Sequence, residues 1–285
     1  MSLLCIYHAN CADGFTAAWA VWRAYPDAEF HPGFYGYPPP DCTGRDVVLV
    51  DFSYKHDVLM QMAEVANSIL ILDHHKSAQT ELVNLPENVT AIFDMDQSGA
   101  MLTWNYYHPE QEPSKLVHHV QDRDLWRFDD KNTPYFQANL FSYEYEFELW
   151  DKIDALCSNE DEYNAFIRDG QAIHRKHMKD VKELIRSTAT RTLIAGFDVP
   201  VLNAPYIYAS DACHHMSQGE PFAACYWDTA NARTYSLRSA DDGVDVAVIA
   251  EQFGGGGHKH AAGFRLGFDE LGRLEEVMEK GKAKP

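Results

Sequence analysis

The sequence is poor in cationic residues, has no long apolar run, and does not arrange its cysteines as a framework. Lys and Arg number 24 against 43 Asp and Glu, which leaves a formal net charge of −19 over 285 residues. So acidic a balance excludes a protein that grips long duplex nucleic acid along its backbone, because such binding needs many Lys and Arg contacts to phosphate. No apolar stretch approaches the ~20 residues that span a bilayer. The N-terminus also lacks a basic region followed by an apolar one and a small-residue cleavage site. No membrane partner is therefore expected, and a cytoplasmic location is the default. Cys5, Cys11, Cys42, Cys157, Cys213 and Cys225 include no C-x-x-C pair and read as reduced thiols rather than a disulfide scaffold.

What is present is enough for a folded enzyme. Hydrophobic residues make up 46% and aromatics 13%, so burial can offset the entropy of ordering the chain. The length suits two domains of ordinary size with a cleft between them. The acidity fits a site built from carboxylates, where bound divalent ions can reverse the local field for an anionic substrate.

The first half alternates short apolar runs with helical segments, the pattern of a parallel sheet flanked by helices in an α/β fold. Leu3-Leu4-Cys5-Ile6-Tyr7, Val47-Val48-Leu49-Val50 and Ile69-Leu70-Ile71-Leu72 are continuous apolar strands, as expected for strands covered on both faces. A helix is expected from about Thr16 to Ala24. From Asp161 to Ser187, Phe166, Ile173, Val181 and Leu184 recur at helical spacing and predict a long amphipathic connecting helix. Beyond it, Arg191 to Val201 and Phe222 to Leu237 read as strands of a smaller mixed α/β domain, with Ser210-Asp211 as a helix N-cap between them. A charged helix is expected around Glu270 to Lys280. The expected division is 1–158 for a metal-binding domain, 159–190 for the connecting helix and 191–285 for a substrate-binding domain.

The chemistry lies where polar residues fall after the strands. His8-Ala9-Asn10-Cys11-Ala12-Asp13-Gly14 follows the first, Asp51 the second, and Asp73-His74-His75 the third. In open parallel sheets ligands bind outside the carboxyl ends of the strands, so these clusters should converge in one crevice. Carboxylate oxygens with imidazole nitrogens suit Mn, Mg, Fe or Zn, and several carboxylates suggest more than one ion. Two metals about 3.5–4 Å apart are a standard device for in-line displacement at phosphorus.

These clusters, with Gly254-Gly255-Gly256-Gly257-His258 near the C-terminus, resemble the DHH phosphoesterase family, which includes single-strand exonucleases, nano-RNases and cyclic-dinucleotide phosphodiesterases. The ordered set runs from His8 to Gly263. The resemblance implies two divalent metals, foremost Mn, with Asp51 bridging them, His8 on one, and Asp13 and His74 on the other. It implies Asp122 as the last carboxylate ligand, with Asp124 the competing choice. It also implies that Asp73 orients a ligand and that His75 faces the scissile phosphate. Where the family offers D-x-D in its first turn, this chain has Cys11-Ala12-Asp13; Cys11 is either a soft ligand favouring Zn or Fe or an inert turn residue.

The C-terminal segment is similar to the family's substrate domain. There Gly255, Gly256 and Gly257 would let backbone N–H groups approach a phosphate, while Arg238, Ser239 and His258 would contact it. The implied activity is hydrolysis of short oligonucleotides or nucleotide phosphoesters. Pyrophosphate or polyphosphate hydrolysis and nucleotide sensing without cleavage are the alternatives. The expected partner is a short single-stranded nucleic acid or a small phosphorylated nucleotide, and a homodimer stays open.

Overall fold

The computed structural model of the protein describes residues 3–275. These form two compact units, one ending at His174 and one beginning at Arg175.

In the first unit β1 (Leu3–His8), α1 (Ala12–Ala24), β2 (Glu29–Gly33), β3 (Asp46–Val50), α2 (His56–Val65), β4 (Ser68–Asp73), α3 (Lys76–Glu81) and β5 (Val89–Phe93) build the sheet layer. The helices α4 (Gly99–Tyr107), α5 (Lys115–Asp124), α6 (Thr133–Leu140) and α7 (Phe147–Leu156) follow, and then α8 (Glu160–Thr188), within which the boundary between the units falls. The five strands are all parallel in the order β2-β1-β3-β4-β5. The apolar runs are continuous because the central strands are buried on both faces. In β3, Val48 and Val50 enter one core with α1, while Val47 and Leu49 enter another with Leu59 and Met62 of α2. Each fully buried side chain of this kind contributes about 1.5–3 kcal/mol.

Three differences from the sequence reading have physical causes. Two edge strands were not anticipated: β2, which carries Pro32 where a missing N–H is tolerated, and β5, whose apolar residues are interrupted by Thr90. The first helix begins at Ala12, four residues before the expected Thr16, because Cys11 is extended and serves as its N-cap residue. That brings Asp13 into the helix's first turn.

The second unit contains β6 (Thr190–Ile194), β7 (Phe197–Asn203), α9 (Tyr206–Met216), β8 (Ala223–Asp228), β9 (Ala232–Arg238), α10 (Val246–Glu251), β10 (Gly256–His258) and β11 (Ala261–Gly267), followed by a 3-10 helix (Phe268–Glu275). They form a mixed sheet in the order β10-β11-β9-β8-β7-β6. The segment Arg191 to Val201 is a hairpin whose turn, Ala195-Gly196, has positive φ at both residues. Ser210 and Asp211 lie inside α9, whose N-cap residue is Pro205, so they cap nothing. The charged C-terminal helix was expected to reach Lys280; its first part is the 3-10 turn, and the remainder lies outside the described residues.

The glycine run is ordered structure. Gly254 has φ +79° and ends α10, with Gly255 N–H donating to the Ala250 carbonyl at 2.9 Å. A Cβ on Gly255 would lie 2.0 Å from the Gly263 carbonyl oxygen, and one on Gly257 2.5 Å from that of Ala261. Both positions need glycine because β10 and β11 approach too closely for a side chain.

Among the described residues no helix is long and apolar enough to cross a membrane.

Candidate metal centre

The carboxyl ends of β1, β3 and β4 are adjacent in the sheet, so the residues that follow them share one rim. Asp51 stands at its centre in a left-handed backbone conformation, φ +52°, and Asn10 in the β1 turn has φ +54°. Non-glycine residues hold such conformations where surrounding structure compels them, commonly at functional sites. Asp51 Oδ1 lies 3.0 Å from His74 Nε2, and Oδ2 lies 3.3 Å from His8 Nδ1. His74 Nε2 is also 3.7 Å from Asp13 Oδ2 and 3.4 Å from Asp124 Oδ2.

Asp13 is 1% exposed and is held from the far side by the start of α4. There the Gly99 N–H donates to its Oδ2 at 2.6 Å and the Ala100 N–H to its Oδ1 at 3.1 Å. Two unsatisfied N–H groups at a helix start suit a carboxylate. Gly99 was not marked by the sequence because it carries no functional group; a Cβ there would sit 2.3 Å from Asp51 Cβ. Gly14 is under the same constraint, with His8 Cβ 2.7 Å from its would-be Cβ.

Asp73, fully buried, acts on its neighbours. Its Oδ1 accepts the His74 N–H at 2.8 Å and the His75 N–H at 3.3 Å, and pairs with His75 Nδ1 at 2.7 Å. This fixes the His75 ring, whose Nδ1 is 4.0 Å from Asp51 Oδ1.

The electrostatics are those of crowded anions. Burial, together with Asp124 and Asp51, pushes the Asp13 carboxyl well above the ordinary range, and burial likewise raises Asp124. Burial opposes ionisation of Asp51 too, but the hydrogen bonds of His74 and His8 outweigh it and hold its carboxyl down. Burial disfavours charge on His74, yet its bond to Asp51 and the carboxylates of Asp124, Asp51 and Asp13 lift the imidazole to about 10. Without a metal, then, an imidazolium supplies the positive charge that the cluster requires.

A divalent cation fits these residues. Asp51 Oδ2 and Asp73 Oδ2 are buried with no well-aligned hydrogen-bond donor, and the donors are carboxylate oxygens and imidazole nitrogens, the set that Mn and related ions accept. Two groups, His8/Asp51/His75 and Asp13/Asp51/His74, each place their ligand atoms within 4.8 Å of one another, and Asp51 belongs to both. Cys11 is in neither group; burial, then Asp51, Asp124 and Asp13, push its thiol well above its ordinary range.

Asp122 is in neither of these two groups; its carboxylate caps the following loop, accepting the Asp129 N–H at 2.8 Å, the Asp130 N–H at 3.1 Å and the Thr133 hydroxyl. Two residues along a helix are about 200° apart, so Asp124 points at His74 when Asp122 points at the loop.

That loop is tied to a buried histidine. Thr133 donates to Asp122, so its oxygen accepts from His119 Nδ1 at 2.9 Å, leaving Nε2 to accept from the Tyr163 hydroxyl at 2.9 Å. This arrangement needs neutral imidazole, and burial pushes His119 down to about 4. Its unfolded value is about 6.5, so the folded state binds fewer protons only below that pH. Stability above pH 6.5 is unaffected by His119, and about 3 kcal/mol is lost as pH falls from about 6.5 to 4. Denaturant titrations at several pH values in this window should show a shallower decline for His119→Gln than for the native chain; identical slopes would refute the assignment.

In the second unit, Arg238 at the end of β9 donates to Ser236 Oγ (3.1 Å), the Leu237 carbonyl (2.8 Å) and Ser210 Oγ (2.9 Å). The register places His258 opposite Ala261 and Ala261 opposite Arg238, so Arg238 and His258 leave the sheet on one face, two strands and about 10 Å apart. Ser239 turns to His260, Oγ to Nδ1 at 3.0 Å. Gly255 borders β10, and Gly256 and Gly257 lie in it, on the same hairpin.

No family model matches the sequence. An uncharacterized protein of Acanthamoeba polyphaga mimivirus is 30% identical over 289 residues, covering 90% of this chain; the chain spans 66% of that relative's length. Among solved structures, the DHH domain of a protein placed in a family of ribosomal proteins is 14% identical with a TM-score of 0.59, covering 98% of this chain and 85% of that one. RecJ from Thermus thermophilus in complex with Mn2+ is 13% identical with a TM-score of 0.50, covering 96% of this chain and 51% of that one. With its parallel sheet, its mixed second sheet and these two likenesses, the chain has the fold of the DHH family.

Proposed function

We infer that the protein is a metal-dependent phosphohydrolase acting on short oligonucleotides or nucleotide phosphoesters. The observation that carries this reading is the position of Asp51, shared between two three-residue groups each able to hold a cation. His8, Asp51 and His75 would hold one ion and Asp13, Asp51 and His74 the other, with Asp124 beside His74. When bound, such ions stabilise charge on phosphoryl oxygens and make water more acidic.

The chain's own residues do the rest. Asp73 holds His75 in one orientation, the kind of support that conditions metal affinity. The start of α4 keeps both Asp13 oxygens in place. In the second unit, the planar guanidinium of Arg238 suits phosphate, and His258 shares its face of the sheet. RecJ carries Mn2+ in its solved structure, which supports Mn as the first metal to try.

The test is turnover with Mn, Mg, Zn or Fe on a dinucleotide, bis(p-nitrophenyl) phosphate, pyrophosphate and polyphosphate. The expected result is dinucleotide cleavage that EDTA abolishes and Mn restores. Turnover confined to pyrophosphate or polyphosphate would reassign the substrate, and tight nucleotide binding with no turnover of any compound would make the protein a sensor.

A further inference from the structure

At the edge of the parallel sheet, β2 ends at Gly33 and the chain continues as Phe34-Tyr35-Gly36-Tyr37-Pro38-Pro39-Pro40. Phe34, Tyr35 and Tyr37 are 41%, 52% and 58% exposed. A single exposed aromatic is ordinary, but three within four residues form a patch that wants a partner.

The loop is built to hold its shape. Tyr37 N–H donates to the Phe34 carbonyl at 3.2 Å, closing a turn with Gly36 at φ +82°. Three consecutive prolines then stiffen the exit, and the Ala9 N–H donates to the Gly33 carbonyl at 3.0 Å, tying the loop's origin to the His8 turn.

Its position gives the patch a chemical meaning. The Tyr35 ring packs on buried Phe52 with centroids 4.8 Å apart, and its edge contacts reach His8 at 5.3 Å and His75 at 6.3 Å. The aromatic surface therefore begins where the candidate metal ligands end. In the same loop Phe34 and Tyr37 form a second ring pair, with centroids 5.8 Å apart. A nucleotide whose phosphate sits at Asp51 presents its base one sugar away. Every base offers a π-face, and stacking on an aromatic ring tolerates sequence.

We propose that the loop Phe34 to Tyr37 is a nucleobase-stacking platform that selects base-bearing phosphoesters, with Tyr35 and Tyr37 as its faces. The proposal rests on the phosphohydrolase reading only for where the phosphate lies. It makes recognition indifferent to base identity and dependent on the presence of a base.

Calorimetric titration of the full-length protein in Mn2+ with AMP and with ribose 5-phosphate tests it. AMP should bind roughly tenfold or more tightly than ribose 5-phosphate. Tyr37→Ala should remove most of that advantage with the ribose 5-phosphate affinity unchanged, Tyr35→Ala should remove it as well, and Tyr37→Phe should keep it. Equal affinity of the native protein for the two ligands, or equal weakening of both by Tyr37→Ala, would overturn the platform. If dinucleotides are cleaved while the variants bind like the native chain, the platform fails and the phosphohydrolase reading survives. If nothing is cleaved but AMP binding still depends on Tyr37, the reverse holds.

Discussion

Asp51→Asn should lower metal-dependent turnover by a factor of about a thousand or more, corresponding to about 4 kcal/mol of transition-state stabilisation. The amide removes the negative charge shared by the two ligand groups. It also turns an N–H2 towards either His8 Nδ1 or His74 Nε2, where a carboxylate oxygen now lies. Asn tolerates the left-handed backbone of this position, so the loss should occur in a folded protein. Asp124→Asn should act in the same direction, whereas Asp122→Asn should lower the unfolding midpoint and leave the folded fraction active, because its partners are the 129–133 loop. Steady-state kinetics beside circular dichroism decides this. Undiminished turnover in Asp51→Asn, or a dead but fully stable Asp122→Asn, would contradict the assignment.

Gly99→Ala should both destabilise the first unit and weaken the site. Its Cβ would be 2.3 Å from Asp51 Cβ and 2.9 Å from Asp13 Oδ2, so the start of α4 must move. Overpacking of this kind costs about 1–3 kcal/mol or more, which lowers the midpoint of a unit this size by several degrees, at about 2–4 °C per kcal/mol. The movement also withdraws the Gly99 and Ala100 N–H groups from Asp13, and such supporting contacts are commonly worth about 10- to 100-fold in metal affinity. Calorimetric unfolding and a Mn2+ titration measure the two effects separately. Native values of both would show that α4 yields without disturbing Asp13.

The fold was legible where burial wrote itself into consecutive residues. Val47 to Val50 and Ile69 to Leu72 must be apolar on both sides to lie in the middle of the sheet, so the strands, and with them the rim at Asp51 and Asp73-His74-His75, were visible. The edge strand β2, with a proline in it, left no such trace. Asp122 and Asp124 are chemically identical and stand on one helix turn; the choice between them depends on the rotation of α5, which the loop at Asp129 to Thr133 sets. Gly99 and Gly14 contribute space, and the need for space appears only once the neighbouring strands are in place. The aromatic residues after Gly33 were legible as composition but not as surface, since exposure belongs to the folded chain.

Four glycines in a row ordinarily suggest a tether, yet here Gly254 to Gly257 pass from a helix end into the outer rail of a sheet. Gly256 and Gly257 take the spacing of the strand, about 3.3 Å per residue, and at Gly255 and Gly257 a side chain is shut out by the adjoining rail. The segment is thus a ruler, not a flap, and any adjustment of the second unit to a bound molecule has to come from a part of the chain less tightly laced.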